Sequence, residues 1–411
     1  MFKINRHALD NGLRLVHYED TSTQMVAMNI VYDVGARDEH PQHTGFAHLF
    51  EHLMFGGSVN IPDYDTPLQM AGGENNAWTN NDITNYYLTV PKANVETGFW
   101  LESDRMLGLD FSERSLEVQR EVVMEEFKQR CLNQPYGDVD HLLRPLAYQV
   151  HPYRWPTIGK ELSHIAQATL SEVEAFFYRH YAPNNAVLAV TGNISWDETL
   201  RLVEKWFASI PRRDVPERHL PQEPEQQAER RLTVERNVPL DALYMAYHMC
   251  SRDDADYYAF DILSDILSNG RSSRLTQHLI QEQSVFSSVD AYISGSRDAG
   301  LFHISGKPAA GVSLDQAEAA IRKELESLQQ NTVEAAELEK VKNKFESTQI
   351  FGNINYLNVA TKLAWYELTG QAEDINRKVA RYRAVTPEQL QAVARQAFRP
   401  ENCSVLHYRK G

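Results

Sequence analysis

The sequence is poor in cysteine, poor in positive charge and free of long apolar runs. Its three cysteines, Cys131, Cys250 and Cys403, lie far apart, so they form neither a disulfide framework nor a cysteine-based zinc site. The 56 acidic residues outnumber the 41 Lys and Arg, and the net charge of -15 argues against nucleic acid and against an anionic membrane surface as partners. No window approaches about 18 uninterrupted apolar residues, so we expect no membrane-spanning helix.

The length of 411 residues is too great for one hydrophobic core, and two domains are expected. The segment 211–230 contains four prolines and no apolar periodicity, which is typical of a linker. We therefore predict an N-terminal domain over 1–211, a linker over 212–230 and a C-terminal domain over 231–411. No apolar stretch of signal-peptide length occurs at the N-terminus, so we predict a cytoplasmic location, or a periplasmic one if a signal was trimmed.

The second half of the sequence repeats the first. Residues 169–185 run parallel to residues 386–402 without a gap, and each copy leads into a strand. Near the start of each half a strand is followed by a helix that ends at a glycine, Gly56 or Gly270. The repeat predicts an α+β fold of two homologous α/β-sandwich domains, produced by internal duplication and related by a pseudo-twofold axis.

Hydrophobic periodicity places the elements of the first half. Strands are predicted at 12–18, 25–34 and 186–192 with a strand pair within 75–90, and helices at 92–108, 113–132, 169–181 and 196–209. The Pro- and Tyr-rich stretch at 133–160 is predicted to be irregular.

One short motif carries the chemistry of the first half. Apolar residues at helical spacing surround His48, Glu51 and His52, and two glycines follow. His48 and His52 are four residues apart and lie on one face of the predicted helix, about 6 Å apart along its axis. Two imidazoles at this spacing can share a cation, most often zinc, while Glu51 can reach a water on that cation. The alternative is a surface helix with two solvated histidines.

A third zinc ligand is expected from the helix at 113–132. Its apolar arc is defined by Leu116, Val122, Val123 and Phe127. Glu126 falls on that arc, whereas Glu125 falls on the charged side. A buried carboxylate needs a partner, which a zinc ion would supply, so we predict Glu126 as the ligand. The alternative is a buried glutamate paired with an arginine.

With these ligands the sequence resembles the pitrilysin family of zinc peptidases, which includes insulysin and the mitochondrial processing peptidase. Its H-x-x-E-H motif is the one called inverzincin. The resemblance extends to the motif Asn76-Ala-Trp-Thr and to the segment 183–193, and the length fits the short, two-domain bacterial type. It implies a zinc-dependent endopeptidase that hydrolyses peptides or unfolded segments in a closed chamber, with Glu51 activating a zinc-bound water.

The resemblance also implies how substrates and partners bind. Peptides would be held as an added β-strand by the edge that contains Asn76, Ala77 and Thr79. The chain would assemble as a homodimer, or as a heterodimer with a homologous chain. Only the first half can hold the metal, because Ile262 and Ile266 stand opposite His48 and His52.

Two positions depart from the family's pattern. Gln119 stands where members often carry a second glutamate, so we predict that it orients Glu126 without a charge. In the second half, Phe286 stands where active members have a tyrosine, and no arginine precedes it by seven residues. This leaves two alternatives to a self-sufficient peptidase: a metal-bearing subunit whose partner chain supplies the Arg/Tyr pair, or a non-catalytic scaffold subunit.

Overall fold

The computed structural model describes residues 1–411, which form two compact units. Unit 1 comprises residues 1–129, 155–219 and 349–378. Unit 2 comprises residues 130–154, 220–348 and 379–411. Strands and helices are numbered below in chain order, through both units.

Unit 1 is built on a six-stranded sheet with the strand order β1-β2-β6-β3-β5-β4. Strands β2 and β6 run parallel, and all other neighbours run antiparallel. The strands are β1 (Asn5–Ala8), β2 (Arg14–Glu19), β3 (Met25–Tyr32), β4 (Glu74–Thr79), β5 (Thr84–Pro91) and β6 (Ala186–Gly192). Strands β1 and β4 are therefore the two edges of this sheet.

Helices cover both faces of the unit 1 sheet. They are α1 (Phe46–Leu53), α2 (Asp65–Met70), α3 (Val95–Leu107), α4 (Glu113–Phe127), α6 (Leu162–Ala166), α7 (Leu170–His180), α8 (Trp196–Phe207) and α12 (Tyr356–Thr369). On one face, Leu49 and Phe50 of α1 join the main core. On the other face, Leu363 of α12 packs against Val16 and Val187 of the sheet. Both faces are apolar because both are buried.

Unit 2 is built on a five-stranded sheet with the order β7-β11-β8-β10-β9. Its strands are β7 (Arg230–Arg236), β8 (Ala242–His248), β9 (Phe286–Ile293), β10 (Leu301–Pro308) and β11 (Cys403–Lys410). Its helices are α5 (Val139–Ala147), α9 (Tyr257–Ser268), α10 (Leu314–Gln330), α11 (Ala335–Gly352, whose last turn belongs to unit 1), α13 (Lys378–Ala384) and α14 (Pro387–Ala397). Two π-helical segments occur, Lys128–Leu132 and Leu275–Glu282.

The predicted fold class, α+β with two homologous α/β domains, is confirmed, since the structure is mixed α/β with two sheets. The order β2-β6-β3-β5-β4 in unit 1 has the same topology as β7-β11-β8-β10-β9 in unit 2, including the one parallel pair in each. Helix α9 follows β8 as α1 follows β3, as the duplication predicts. Strand β1 has no counterpart in unit 2.

Two helices differ from the predicted arrangement. The stretch 133–160 was expected to be irregular but contains α5, whose Leu143 packs on the outer face of the unit 2 sheet. Helix α12 belongs to unit 1, although it lies within the predicted C-terminal domain of 231–411. The physical reason is the same in both cases. Each sheet has a second apolar face to bury, and periodicity does not tell which helix of the chain will cover it.

The predicted linker has no helix or strand until β7 begins at Arg230, but it is held in place at several points. In unit 1 the Arg213 guanidinium donates to the backbone carbonyls of Tyr181 and Leu107. In unit 2 the Gln226 side chain is buried and donates to the carbonyl of Cys403 at 2.7 Å. These segments are therefore ordered by their own polar contacts and not by regular structure.

Candidate metal centre

Helix α1 is fixed at its N-terminus by a buried carboxylate. The Glu39 carboxylate accepts hydrogen bonds from the backbone N–H groups of Gly45 and Ala47, each at 2.9 Å. Gly45 has φ +90°, and a Cβ there would lie 2.7 Å from the Cδ1 of Ile165, so only glycine fits. Burial raises the pKa of Glu39 to about 8, and the two amide hydrogen bonds oppose this shift only in part. Sequence reasoning missed Glu39 because a cap six residues before the N-cap follows no local pattern.

The structure brings the three predicted metal ligands together. The imidazoles of His48 and His52 lie one helical turn apart, with ring centroids separated by 4.9 Å and planes nearly perpendicular at 86°. The Glu126 Oε2 atom of α4 lies 3.6 Å from His48 Nε2 and 3.3 Å from His52 Nε2. One ligand atom from each residue lies within 4.8 Å of the other two. His48 is buried, and the other two side chains are half-buried.

This donor set fits a zinc ion. Zinc in catalytic sites is bound by three protein ligands from histidine and carboxylate side chains, and a fourth position stays open. Two imidazole nitrogens and one carboxylate oxygen converge here from two rigid helices. Half-buried His52 and Glu126 leave an approach for a further ligand.

The choice between Glu126 and Glu125 follows helix geometry. Glu125 is exposed, and its carboxylate lies 3.5 Å from the Lys128 ammonium, on the solvent side of α4. The apolar arc is narrower than predicted, since Val122 is 45% exposed while Val123 is buried. The half-buried Glu126 therefore lies at the boundary of the buried face, where its carboxylate can reach a site open to solvent.

Gln119 lies two helical turns before Glu126 and is half-buried. Its Nε2 atom would be 3.9 Å from a Cβ placed on Gly56, so it lies beside the end of α1. Its hydrogen bond to Glu126 stays a prediction.

Glu51 is half-buried on α1, between the two histidines in sequence. Two buried tyrosines, Tyr86 and Tyr181, lie close enough to feel its charge. Burial raises the pKa of the Tyr86 hydroxyl well above its usual value, and the charge of Glu51 adds to this shift. Both phenols therefore stay neutral beside Glu51. The Tyr86 hydroxyl donates to the carbonyl of Phe50, at 3.3 Å, and so supports α1 from the sheet. No local pattern in the sequence indicated either tyrosine.

The predicted substrate residues lie on the edge strand β4. The N–H of Asn80 donates to the carbonyl of Ile83 at 3.0 Å. Counted from this pair, every second residue of β4 forms its backbone hydrogen bonds with β5, and the residues between them face away from β5. Asn76 therefore uses its backbone groups to pair with Tyr87 of β5. Ala77 and Thr79 turn their backbone N–H and C=O groups toward the open edge. Of the three predicted residues, only these two present backbone groups to an added strand.

The second half has no metal ligands on the helix equivalent to α1, and it has a phenylalanine at the position where the family's pattern has a tyrosine. Ile262 and Ile266 of α9 are buried in the core of unit 2. Phe286 is the first residue of β9 and is also buried in that core. The chain offers one cluster of three metal-ligating side chains.

Comparison with known proteins gives two family matches that together span most of the chain. Residues 14–160 match the model of the insulinase family, peptidase family M16, and residues 167–345 match the model described as the peptidase M16 inactive domain. The chain belongs to peptidase family M16. The predicted family membership is thereby confirmed. Relatives of the chain are named zinc proteases, which is the class that the resemblance implied.

Two relatives named zinc proteases match over most of their length. The zinc protease PqqE of Helicobacter pylori is 29% identical over 342 residues, which cover 81% of this chain and 76% of that protein. A Bacillus subtilis protein named uncharacterized zinc protease YmxG is 26% identical over 404 residues, 96% of each. The crystal structure of a protease from Helicobacter pylori superposes with a TM-score of 0.93 at 26% identity and covers 100% of both chains. These relatives therefore match both halves of this chain.

No helix of the structure has the length and apolar character needed to cross a membrane. The expected location, dimeric assembly and peptide partners stay predictions.

Proposed function

We propose that this M16 chain is a zinc-dependent endopeptidase. The observation that carries the proposal is the convergence of His48, His52 and Glu126 on one point beside Glu51. Relatives named zinc proteases support it. Zn²⁺ would be held by the two imidazoles and the Glu126 carboxylate. When bound, the metal supplies Lewis acidity, which polarises a peptide carbonyl and brings the pKa of water toward neutrality.

The residues of the chain supply the remaining parts of the reaction. Glu51 takes a proton from the attacking water and delivers it to the leaving amine. The edge of β4 aligns an extended peptide through the backbone groups of Ala77 and Thr79. Glu39 holds α1, and with it Glu51 and both histidines, in one orientation. Substrates would be peptides or unfolded segments, because an extended strand is the conformation that this edge can pair with. Their cleavage would take place in a closed chamber.

The test compares cleavage by two Glu→Gln variants. A quenched fluorescent peptide mixture is incubated with the zinc-loaded wild-type chain, with Glu51→Gln and with Glu121→Gln, an exposed glutamate on α4. Loss of a general base lowers the rate by about 10²–10⁴-fold, so we expect Glu51→Gln to lose at least about 100-fold in kcat. Glu121→Gln should cleave as the wild type does. Equal cleavage by Glu51→Gln and wild type would refute the role of Glu51.

A second candidate function rests on the burial of Phe286. If an aromatic hydroxyl from the second half is needed, this chain cannot supply it from that position. The chain would then be the metal-bearing subunit of a heterodimeric peptidase, or a scaffold subunit. Zinc binding with no cleavage by the wild type, followed by cleavage after a homologous chain is added, favours the heterodimer. No cleavage in either condition favours the scaffold.

A further inference from the structure

The edge strands β4 and β9 turn the backbone groups of equivalent residues toward their open edges. In unit 2 the N–H of Ser294 donates to the carbonyl of Leu301 at 2.9 Å, which continues the β9–β10 ladder. Alternate residues of an antiparallel strand point outward, so Ala291 turns its backbone groups to the open edge. Ala77 does the same in β4. The displacement along the chain that aligns Gly56 with Gly270 also aligns Ala77 with Ala291.

Each of these outward amides is covered by the side chain that precedes it. The Asn76 Oδ1 atom accepts a hydrogen bond from the N–H of Ala77 at 2.8 Å. In the other sheet the Asp290 Oδ1 atom accepts from the N–H of Ala291 at 3.0 Å. The two caps occupy equivalent positions of the duplicated fold. An N–H that is covered in this way is not open to the carbonyl of an incoming strand.

The two caps differ in strength. Asn76 is exposed and neutral, and nothing in the structure holds its amide except the bond to Ala77. Asp290 is a carboxylate, and the Ser268 Oγ atom lies within hydrogen-bond distance of that carboxylate and of the carbonyl of Ala291, the latter at 2.9 Å. The one proton of the Ser268 hydroxyl is shared between these two acceptors. Charge-assisted hydrogen bonds are roughly twice as strong as neutral ones. The outward N–H of Ala291 is therefore bonded to a carboxylate and its carbonyl lies beside a shared hydroxyl donor, whereas a single neutral amide covers Ala77.

The sequence difference behind this asymmetry lies in the preceding helix. The alignment that pairs Asn76 with Asp290 places Met54 opposite Ser268. A methionine has no hydroxyl to donate to a backbone carbonyl. The edge of β4 therefore has no counterpart to the Ser268 hydroxyl that lies beside the edge of β9.

We propose that Asn76 is a displaceable cap on the substrate edge, and that Asp290 with Ser268 closes the corresponding edge of the second sheet. This inference rests on the proposed peptidase function. A substrate strand pairs with β4 only after the Asn76 amide has left the N–H of Ala77, so the cap competes with substrate. Until substrate arrives, the cap shields an edge strand that would otherwise be a template for pairing with other chains. Asn76 is a positioning residue and takes no part in the chemical step.

The competition predicts opposite effects for two substitutions. Asn76→Ala frees the N–H of Ala77, and a net gain of the size of one neutral hydrogen bond lowers KM by about two- to tenfold. Asn76→Asp replaces the amide by a stronger acceptor that also repels the carbonyls of the peptide, so KM rises by about tenfold. Because the cap acts before the chemical step, kcat stays within about twofold in both variants. Asp290→Ala removes the equivalent cap from the closed edge and leaves KM unchanged.

The experiment measures KM and kcat of the zinc-loaded full chain with one quenched fluorescent peptide. The proposal is supported if KM is lowest for Asn76→Ala, intermediate for the wild type and highest for Asn76→Asp. A raised KM in Asn76→Ala makes the amide a substrate contact and overturns the cap. A KM lowered equally by Asp290→Ala overturns the assignment of β4 as the edge that is used.

A binding measurement separates this inference from the proposed activity. If no variant cleaves, the Kd of the same labelled peptide is measured by fluorescence anisotropy. The proteins compared are Glu51→Gln chains that carry each Asn76 substitution in turn. The same order in Kd then supports the cap although turnover has failed. Turnover that depends on Glu51 but is unchanged by the Asn76 variants refutes the cap alone. Dimerisation of Asn76→Ala without a change in peptide affinity would make a second copy, and not a peptide, the occupant of this edge.

Discussion

The buried cap Glu39 offers a quantitative test of how the metal helix is held. Its carboxylate accepts from two backbone N–H groups at the start of α1, and Glu39 itself is only 6% exposed. Glu39→Ala leaves both amides of Gly45 and Ala47 without an acceptor in a buried place. Each unsatisfied buried group costs about 1–3 kcal/mol, so the first turn of α1 should lose about 3 kcal/mol of stability in total. Asp63 is the matched control, since it accepts from the N–H groups of Asp65 and Thr66 but is exposed, so water can replace it.

Hydrogen exchange followed by mass spectrometry reads this local stability directly. A loss of about 3 kcal/mol corresponds to exchange about 100-fold faster at the amides of α1. Asp63→Ala should change the exchange at the start of α2 far less than Glu39→Ala changes that of α1, because water replaces the lost acceptor, and it should leave α1 unchanged. If Glu39→Ala and Asp63→Ala leave the exchange of α1 equally slow, the helix is held by its apolar packing alone and the reasoning is refuted.

Two pH dependences of stability follow, with opposite signs. Burial raises the pKa of Glu39 to about 8, so its stabilising contribution is complete below about pH 4.5 and is lost as the pH rises to about 8. Urea unfolding of Glu39→Gln should lack this decline, and an equal slope in both proteins would contradict the assignment. Burial also raises the pKa of Glu318, but hydrogen bonds from His407 and Arg322 outweigh it and lower the value to about 2. That contribution is complete above about pH 4.5 and is lost as the pH falls toward 2, so Glu318→Gln should be destabilising at pH 7 and nearly neutral at pH 2. A pH-independent difference would refute the Glu318 assignment.

The sequence predicted which three side chains converge because their positions obey helix periodicity. His48 and His52 are separated by one turn, and Glu126 differs from Glu125 by the face of α4 on which it lies. Both relations follow from 100° per residue and need no tertiary information. The structure places the three side chains within reach of one another, as this reasoning expected.

The features that the sequence did not predict depend on contacts between distant elements. Tyr86 reaches α1 from the neighbouring sheet, and α12 covers a sheet whose strands lie far before it in the chain. Local patterns carry no signal for such contacts. The cap formed by Asn76 is a local contact. It can be recognised only when it is known which residues of β4 turn their backbone groups away from β5.

Metal stoichiometry tests whether His48, His52 and Glu126 bind one zinc ion. The wild-type chain, Glu126→Gln and Glu125→Gln are dialysed against buffered zinc, and bound metal is measured by mass spectrometry. We predict one zinc per chain for the wild type and Glu125→Gln. The affinity of Glu126→Gln should be weaker by at least about 10- to 100-fold, because loss of a ligand costs at least as much as loss of its outer-shell partner. No bound zinc in the wild type, or equal affinity in the two variants, would rule out this zinc site.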